Sequence, residues 1–159
     1  MIDNQANTMQ TKLQRGFSLI EVLVALIIMS VGMLGIAVLY VQGLQAGRTS
    51  LFRHNAVTLA SDVADRIRAN PTAEATYADE DGADNSCVGE GTDCDATQMA
   101  MHDIFVWKQE AAANLPAGDV TVAVNNGITP IEYTITIDWT EPGASPAPSY
   151  TITVPVLGF

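Results

Sequence analysis

Positive charge is scarce in this chain. It holds seven lysines and arginines against eighteen aspartates and glutamates, and no positive residue lies beyond Lys108. A net charge of −11 without a basic cluster repels phosphate backbones, which excludes the electrostatic footprint that nucleic-acid binding needs. Histidine is rarer still. His54 and His102 have no cysteine or carboxylate at metal-ligand spacing to single them out. Both are expected at the surface or at a helix cap, without a catalytic role. No nucleophile–base pair and no phosphate-binding loop occurs, so an enzyme is the function class with least support and no cofactor is implied. Cysteine appears only at Cys87 and Cys94, in a Gly/Asp-rich stretch. In a chain that enters a membrane with its bulk downstream, such a close pair reads as a disulfide outside the cytoplasm.

One long segment has almost no charge at all. Between Gly16 and Gly47 the single charged residue is Glu21. From Val22 to Val41 the run is apolar apart from Ser30, Gly32 and Gly35. Twenty apolar residues of helix span about 30 Å, the thickness of a bilayer's hydrocarbon core. A carboxylate there costs about 2.5–3.5 kcal/mol on insertion scales, which makes Glu21 a candidate functional residue by default. Residues 1–16 are polar, with Lys12 and Arg15 just before the run, as in a secretory signal. Two details count against that reading. The apolar run exceeds a signal's usual core, and Leu44 stands where a cleavage site at Ala46 would need a small residue. A plain single-span anchor is the next alternative. Its orientation is not set by charge, because Lys12 and Arg15 on one side face Arg48 and Arg53 on the other.

Gly16-Phe17-Ser18-Leu19-Ile20-Glu21 resembles the class III signal of type IV pilins and pseudopilins. Glycine, phenylalanine, acid and apolar run all stand at that family's spacing. The resemblance implies a leader, residues 1–16, that a membrane-bound prepilin peptidase removes by cutting after Gly16 on the cytoplasmic side. It also implies N-methylation of Phe17, the new terminus. This leader is longer than common, and Met9 would open a more ordinary one, so the start stays open between Met1 and Met9. Cleavage leaves a cationic amine on Phe17, one helical turn before Glu21. A carboxylate in hydrocarbon is tolerated when paired with a cation. The family resemblance implies that this cation is the amine of a neighbouring subunit or the methylated amine itself; a pair within one chain is the plain alternative. Either way, Glu21 would set the axial register as the subunit leaves the bilayer for a filament. The implied partners are the prepilin peptidase, other minor and major pilins, the inner-membrane assembly platform and a tip adhesin. The implied location is the bacterial inner membrane with a periplasmic head, then the pilus at the cell surface.

Downstream of Gly47, Phe52, Ala56, Leu59, Ala60, Val63 and Ile67 recur at steps of three and four, the stripe of an amphipathic helix. Asp62 and Arg66 sit at ion-pair spacing on it. Asn70-Pro71 stops it, since the residue before proline is pushed out of the α region. One proline-free helix is therefore expected from Phe17 to about Asn70, roughly 80 Å at the usual rise. Its half over 17–46 would cross the membrane or line a filament core, and 47–159 would form the head. Residues 71–95 are acidic and nearly devoid of large apolar groups, which predicts a surface loop pinned by Cys87 and Cys94. A bridge closing so short a loop contributes about 2–3 kcal/mol. Asp79, Asp81 and Glu90 fit three ligand positions of a calcium loop, but Ala83 and Asp84 break the pattern, leaving a solvated acidic loop. Asp95 and Gln98 are spaced to cap a second helix with Ala100, Ile104, Trp107, Ala111 and Leu115 on its apolar face, ended by Pro116 and Gly118. Trp107 is expected as a core anchor. Alternation then marks three strands, around Val120–Val124, Tyr133–Trp139 and Tyr150–Val156, with an Asn125-Asn126-Gly127 turn and a proline-rich link between. The expected fold is α+β and pilin-like: a long N-terminal helix packed on a small antiparallel meander, one extra helix and an acidic disulfide loop.

Further residues narrow the resemblance. Asp62 to Pro71, then Cys94, Asp103 and Trp107, then Leu115-Pro116-Ala117-Gly118 are similar to minor pilins of the PilV kind, the type IV pilus modification proteins. This implies a low-abundance structural subunit that joins other minor pilins to prime assembly and occupy the tip. A minor pseudopilin of a type II secretion system is the alternative.

Overall fold

Helix α1 begins where a serine can cap it and ends where a proline forbids it. The Ser18 hydroxyl accepts from the Ile20 N–H at 3.3 Å, and α1 then runs Leu19–Ala69. Asn70 leaves the helical region (φ −128°), and Pro71 starts a 3₁₀ segment, Pro71–Ala78. Helix α2 (Ala96–Asn114) and strands β1 (Asp119–Asn125), β2 (Ile131–Asp138) and β3 (Ser149–Val156) follow. This computed structural model describes residues 16–89 and 93–157; the leader before Gly16 and Glu90 of the acidic stretch lie outside the described residues. The chain divides into two units, Met1–Leu44 and Gln45–Phe159.

In the first unit every described side chain is exposed, although nearly all are apolar. The second unit has one core. Ala56, Leu59, Ala60, Val63, Ala64 and Ile67 of α1 join Ala100, Ile104, Trp107, Ala111 and Leu115 of α2 and the inner face of the sheet. Both predicted stripes are buried, with Phe52 packed at the margin. The sheet is an antiparallel meander, β1-β2-β3, in the expected order. Val120, Tyr133, Ile135, Ile137, Val154 and Val156 point inward. Residues between them put threonines on the other face, where Thr136 and Thr151 hydrogen-bond across strands at 3.2 Å.

The α2 start is the capping box expected from Asp95 and Gln98: the Asp95 carboxylate accepts from the Gln98 N–H at 2.8 Å, and the Gln98 amide oxygen accepts from the Asp95 N–H at 3.1 Å. Its end needs Gly118. A Cβ there would lie 2.5 Å from the Ala111 carbonyl oxygen and 2.6 Å from the Leu115 Cβ.

Two expectations are corrected. The run after Pro71 is not loop throughout, because its first eight residues form the 3₁₀ segment, with Ala73 and Tyr77 buried. Tyr77 is an isolated aromatic among small and acidic residues, so no periodicity announces its burial. His102 is not a surface residue. It is 7% exposed, because residues 82–85 fold back over α2: the Ala83 N–H donates to the Met101 carbonyl at 2.9 Å and the Asn85 amide to the Gln98 carbonyl at 2.9 Å. The approach is close enough that a Cβ on Gly82 (φ +66°) would fall 2.6 Å from the Phe105 nitrogen. His54 is exposed, as expected.

Candidate functional site

The first candidate is the start of α1. Gly16, Phe17 and Ser18 precede the helix, and Phe17 is 83% exposed. Glu21 lies in the first turn, where its N–H donates to the Ser18 carbonyl at 3.0 Å and where the helix dipole favours an acid. Among the described residues, no hydrogen bond or ion pair holds its carboxylate. Below it the exposed surface is apolar on all sides from Val22 to Val41, interrupted by Ser30, Gly32 and Gly35. By length and composition α1 is able to cross a membrane, a property it shares with signal sequences. The segment therefore presents, in the first turn of an apolar helix, one acid without a partner among the described residues.

The second candidate lies in the head, where α1 ends. The Arg66 guanidinium bridges two acids, Asp62 at 3.0 Å on its own helix and Asp103 at 2.8 Å on α2. Tyr77 donates its hydroxyl proton to the other Asp103 oxygen at 3.3 Å, and Asn70 donates to Tyr77 at 3.2 Å and to the Ala96 carbonyl at 2.8 Å. The Trp107 indole N–H donates to Asp62 at 3.3 Å, and its ring stacks on Tyr77 with centroids 5.7 Å apart. Asp103, Tyr77 and Trp107 are buried while Asp62, Arg66 and Asn70 are part-exposed, so the network runs from the core to the surface and satisfies the buried Asp103 carboxylate. Burial opposes the Arg66 charge, but Asp103 and Asp62 outweigh it and hold the guanidinium above its ordinary value. Burial likewise pushes the Tyr77 hydroxyl up, with the Asp103 charge adding to it, so it stays a donor. Asp62, Arg66, Asn70, Asp103 and Trp107, far apart in sequence, are thus brought together. Sequence reading paired Asp62 with Arg66 and missed Tyr77 and the link to Asp103, because those contacts cross from one element to another.

A smaller clasp joins α1 to the β2–β3 link. The Glu141 carboxylate accepts from the Trp139 indole N–H at 2.8 Å and from the Thr49 hydroxyl at 2.7 Å. These bonds lower its pKa below the ordinary glutamate range. Because the folded-state pKa is depressed, the contribution is complete above the unfolded value and is lost as pH falls through the folded one. Acidification from pH 5 to pH 2.5 should therefore shift the Trp139 fluorescence, and Glu141→Gln should remove that step; an identical step in the variant would contradict the clasp.

The expected disulfide is present between Cys87 and Cys94. In the acidic stretch, the Asp79 carboxylate accepts from the Asp81 and Gly82 N–H groups, each at 3.0 Å, which also lowers its pKa. Among the described residues, no three His, Cys, Asp or Glu side chains gather as metal ligands.

Comparison with known proteins bears on the N-terminal two thirds of the chain. Residues 11–37 match the prokaryotic N-terminal methylation motif, and residues 38–105 match the family described as type IV pilin Tt1218. No curated protein and no solved structure matches the chain. The first match contains Gly16, Phe17 and Glu21; the second contains Asp62, Arg66, Asn70, Tyr77 and Asp103. Over residues 11–105, the chain is thus similar to type IV pilins and to the prokaryotic N-terminal methylation motif.

Proposed function

We propose that the protein is a minor type IV pilin of the PilV kind, a structural subunit without chemistry of its own. Prepilin peptidase cuts after Gly16 and methylates Phe17; residues 17–46 hold the subunit in the inner membrane and later in the filament. The head, 47–159, faces the periplasm and then the cell exterior. There it joins other minor pilins, primes assembly on the inner-membrane platform and sits at the tip beside an adhesin. The observation that carries this reading is Glu21: a carboxylate in the first turn of an exposed apolar helix, without a partner among the described residues, five residues after the glycine of a methylation motif. An acid so placed is costly until a cation meets it, and cleavage after Gly16 creates one. The minor identity is supported by the residues resembling PilV proteins, since Asp62, Arg66, Asn70, Asp103 and Trp107 close into one network.

The test is processing. Replacing Gly16 with alanine or a bulky residue is expected to leave the leader attached, so the intact mass of the membrane-bound chain keeps residues 1–16. Normal maturation of such a variant would remove the signal reading.

A further inference from the structure

Five cations belong to the head, and they are used unequally. Arg66 pairs with Asp62 and Asp103, Arg68 with Asp65 and Lys108 with Asp119. Arg48 and Arg53 are exposed, and among the described residues neither has an ion pair, although the chain holds eighteen acids. These two are also the head cations nearest the apolar run. Arg48 follows Val41 by seven residues on the same helix, and Arg53 by twelve.

Arg48 lines a cleft of about 450 Å³ with Gln45, Thr49, Phe52, Glu141 and Pro142. The acid of this cleft is already engaged. Both Glu141 oxygens accept hydrogen bonds, from the Trp139 indole N–H and the Thr49 hydroxyl. Arg53 offsets the Glu141 charge at longer range, which leaves the cleft the net charge of one arginine. Phe52 and Pro142 give it apolar wall, Gln45 an exposed amide, and Leu51 stands 55% exposed one turn beyond Arg48. One positive charge, a polar donor and apolar surface together suit a singly charged headgroup carried on acyl chains. Position favours a lipid over a soluble anion. Seven residues of helix rise about 10 Å, little more than the depth of a headgroup layer, and helical side chains lean toward the N-terminus, here toward the apolar run.

Given that residues 17–46 lie in the membrane as proposed above, we propose that Arg48 and its cleft, backed by Arg53, hold an anionic phosphodiester lipid of the phosphatidylglycerol type. The Arg48 guanidinium donates to the lipid phosphate, the Gln45 amide meets the glycerol, and the acyl chains pass Phe52 and Leu51 toward the hydrocarbon. A second negative charge would face Glu141, so a phosphodiester fits better than a phosphomonoester.

The experiment reconstitutes the full chain in phosphatidylcholine vesicles holding a trace of spin-labelled phosphatidylglycerol or spin-labelled phosphatidylcholine. Electron paramagnetic resonance then gives the fraction of each lipid immobilised against the protein. At low ionic strength phosphatidylglycerol is expected to be favoured at least about twofold, and salt should reduce that preference. The variant Arg48→Gln, Arg53→Gln should bring the ratio close to one; both side chains are exposed, so the fold is kept. Lys12 and Arg15 also flank the apolar run, and Lys12→Gln, Arg15→Gln is the control that should retain most of the preference. An unchanged ratio in the Arg48, Arg53 variant, or its loss in the control instead, would overturn the proposal. So would equal immobilisation of the two lipids, the result expected if the arginines meet an acidic protein surface. Immobilisation of neither lipid would overturn the membrane reading as well, which tells the two failures apart.

Discussion

Arg66→Ala should lower the stability of the head by about 2–4 kcal/mol, far more than a typical salt-bridge deletion. The reason is the charge left behind. Asp103 is 3% exposed and keeps only the Tyr77 hydroxyl once Arg66 is gone, while Asp62 loses its partner beside the Trp107 indole. Removing one member of a buried pair costs about 3–5 kcal/mol; Arg66 is 37% exposed at its side chain, so water replaces part of what is lost. Arg68 supplies the control. It pairs with Asp65 at the same 3.0 Å that separates Arg66 from Asp62, but both side chains are exposed, at 52% and 77%. Arg68→Ala should therefore cost under about 1 kcal/mol. The double variant Arg66→Met, Asp103→Leu should recover most of the loss, since it leaves no orphaned charge. Denaturant unfolding of the full chain in detergent, followed by tryptophan fluorescence, measures all three. Equal costs for Arg66→Ala and Arg68→Ala would show that the network is not what couples α1 to α2.

Glu21→Ala is expected to have the larger functional effect and almost none on the fold. Among the described residues no hydrogen bond or ion pair holds the side chain, and removing a carboxylate from an apolar helix eases its insertion into a bilayer. The variant should therefore enter the membrane and mature normally. Its recovery in filaments should fall at least tenfold, because the acid that would pair with the new terminal amine is missing. Glu21→Gln separates charge from polarity. If the pairing is ionic, glutamine fails nearly as badly as alanine; if a polar contact suffices, glutamine is retained. Comparing the chain in sheared filaments with that in membranes gives the ratio, and unchanged incorporation of the alanine variant would contradict the pairing argument.

Local signals carried most of the fold. The stripes from Phe52 to Ile67 and from Ala100 to Leu115, the Asp95–Gln98 box and the strand alternation each lie within one element, where periodicity and capping act. The cysteine pair was legible from its close spacing in a Gly/Asp-rich stretch downstream of a long apolar segment. What escaped depends on contacts between elements. Tyr77 is buried because Trp107 stacks on it and Asp103 accepts a hydrogen bond from its hydroxyl, neither of which its own neighbours in sequence reveal. His102 is covered by residues 82–85, whose polar composition suggests exposure until Ala83 and Asn85 are seen bonding to α2. Glu141 looks like one more acid in a proline-rich link, and only folding sets it between Thr49 and Trp139. The N-terminal methylation motif was legible too, because such a motif is linear and owes nothing to tertiary structure.

The most direct measurement is the mass and sequence of the N-terminal peptide of the chain recovered from sheared surface filaments. The account predicts a chain that begins at Phe17 with an N-methyl group. A chain that still begins at Met1 or Met9, is cut elsewhere, or is found only in membranes or a secretion pseudopilus would contradict it.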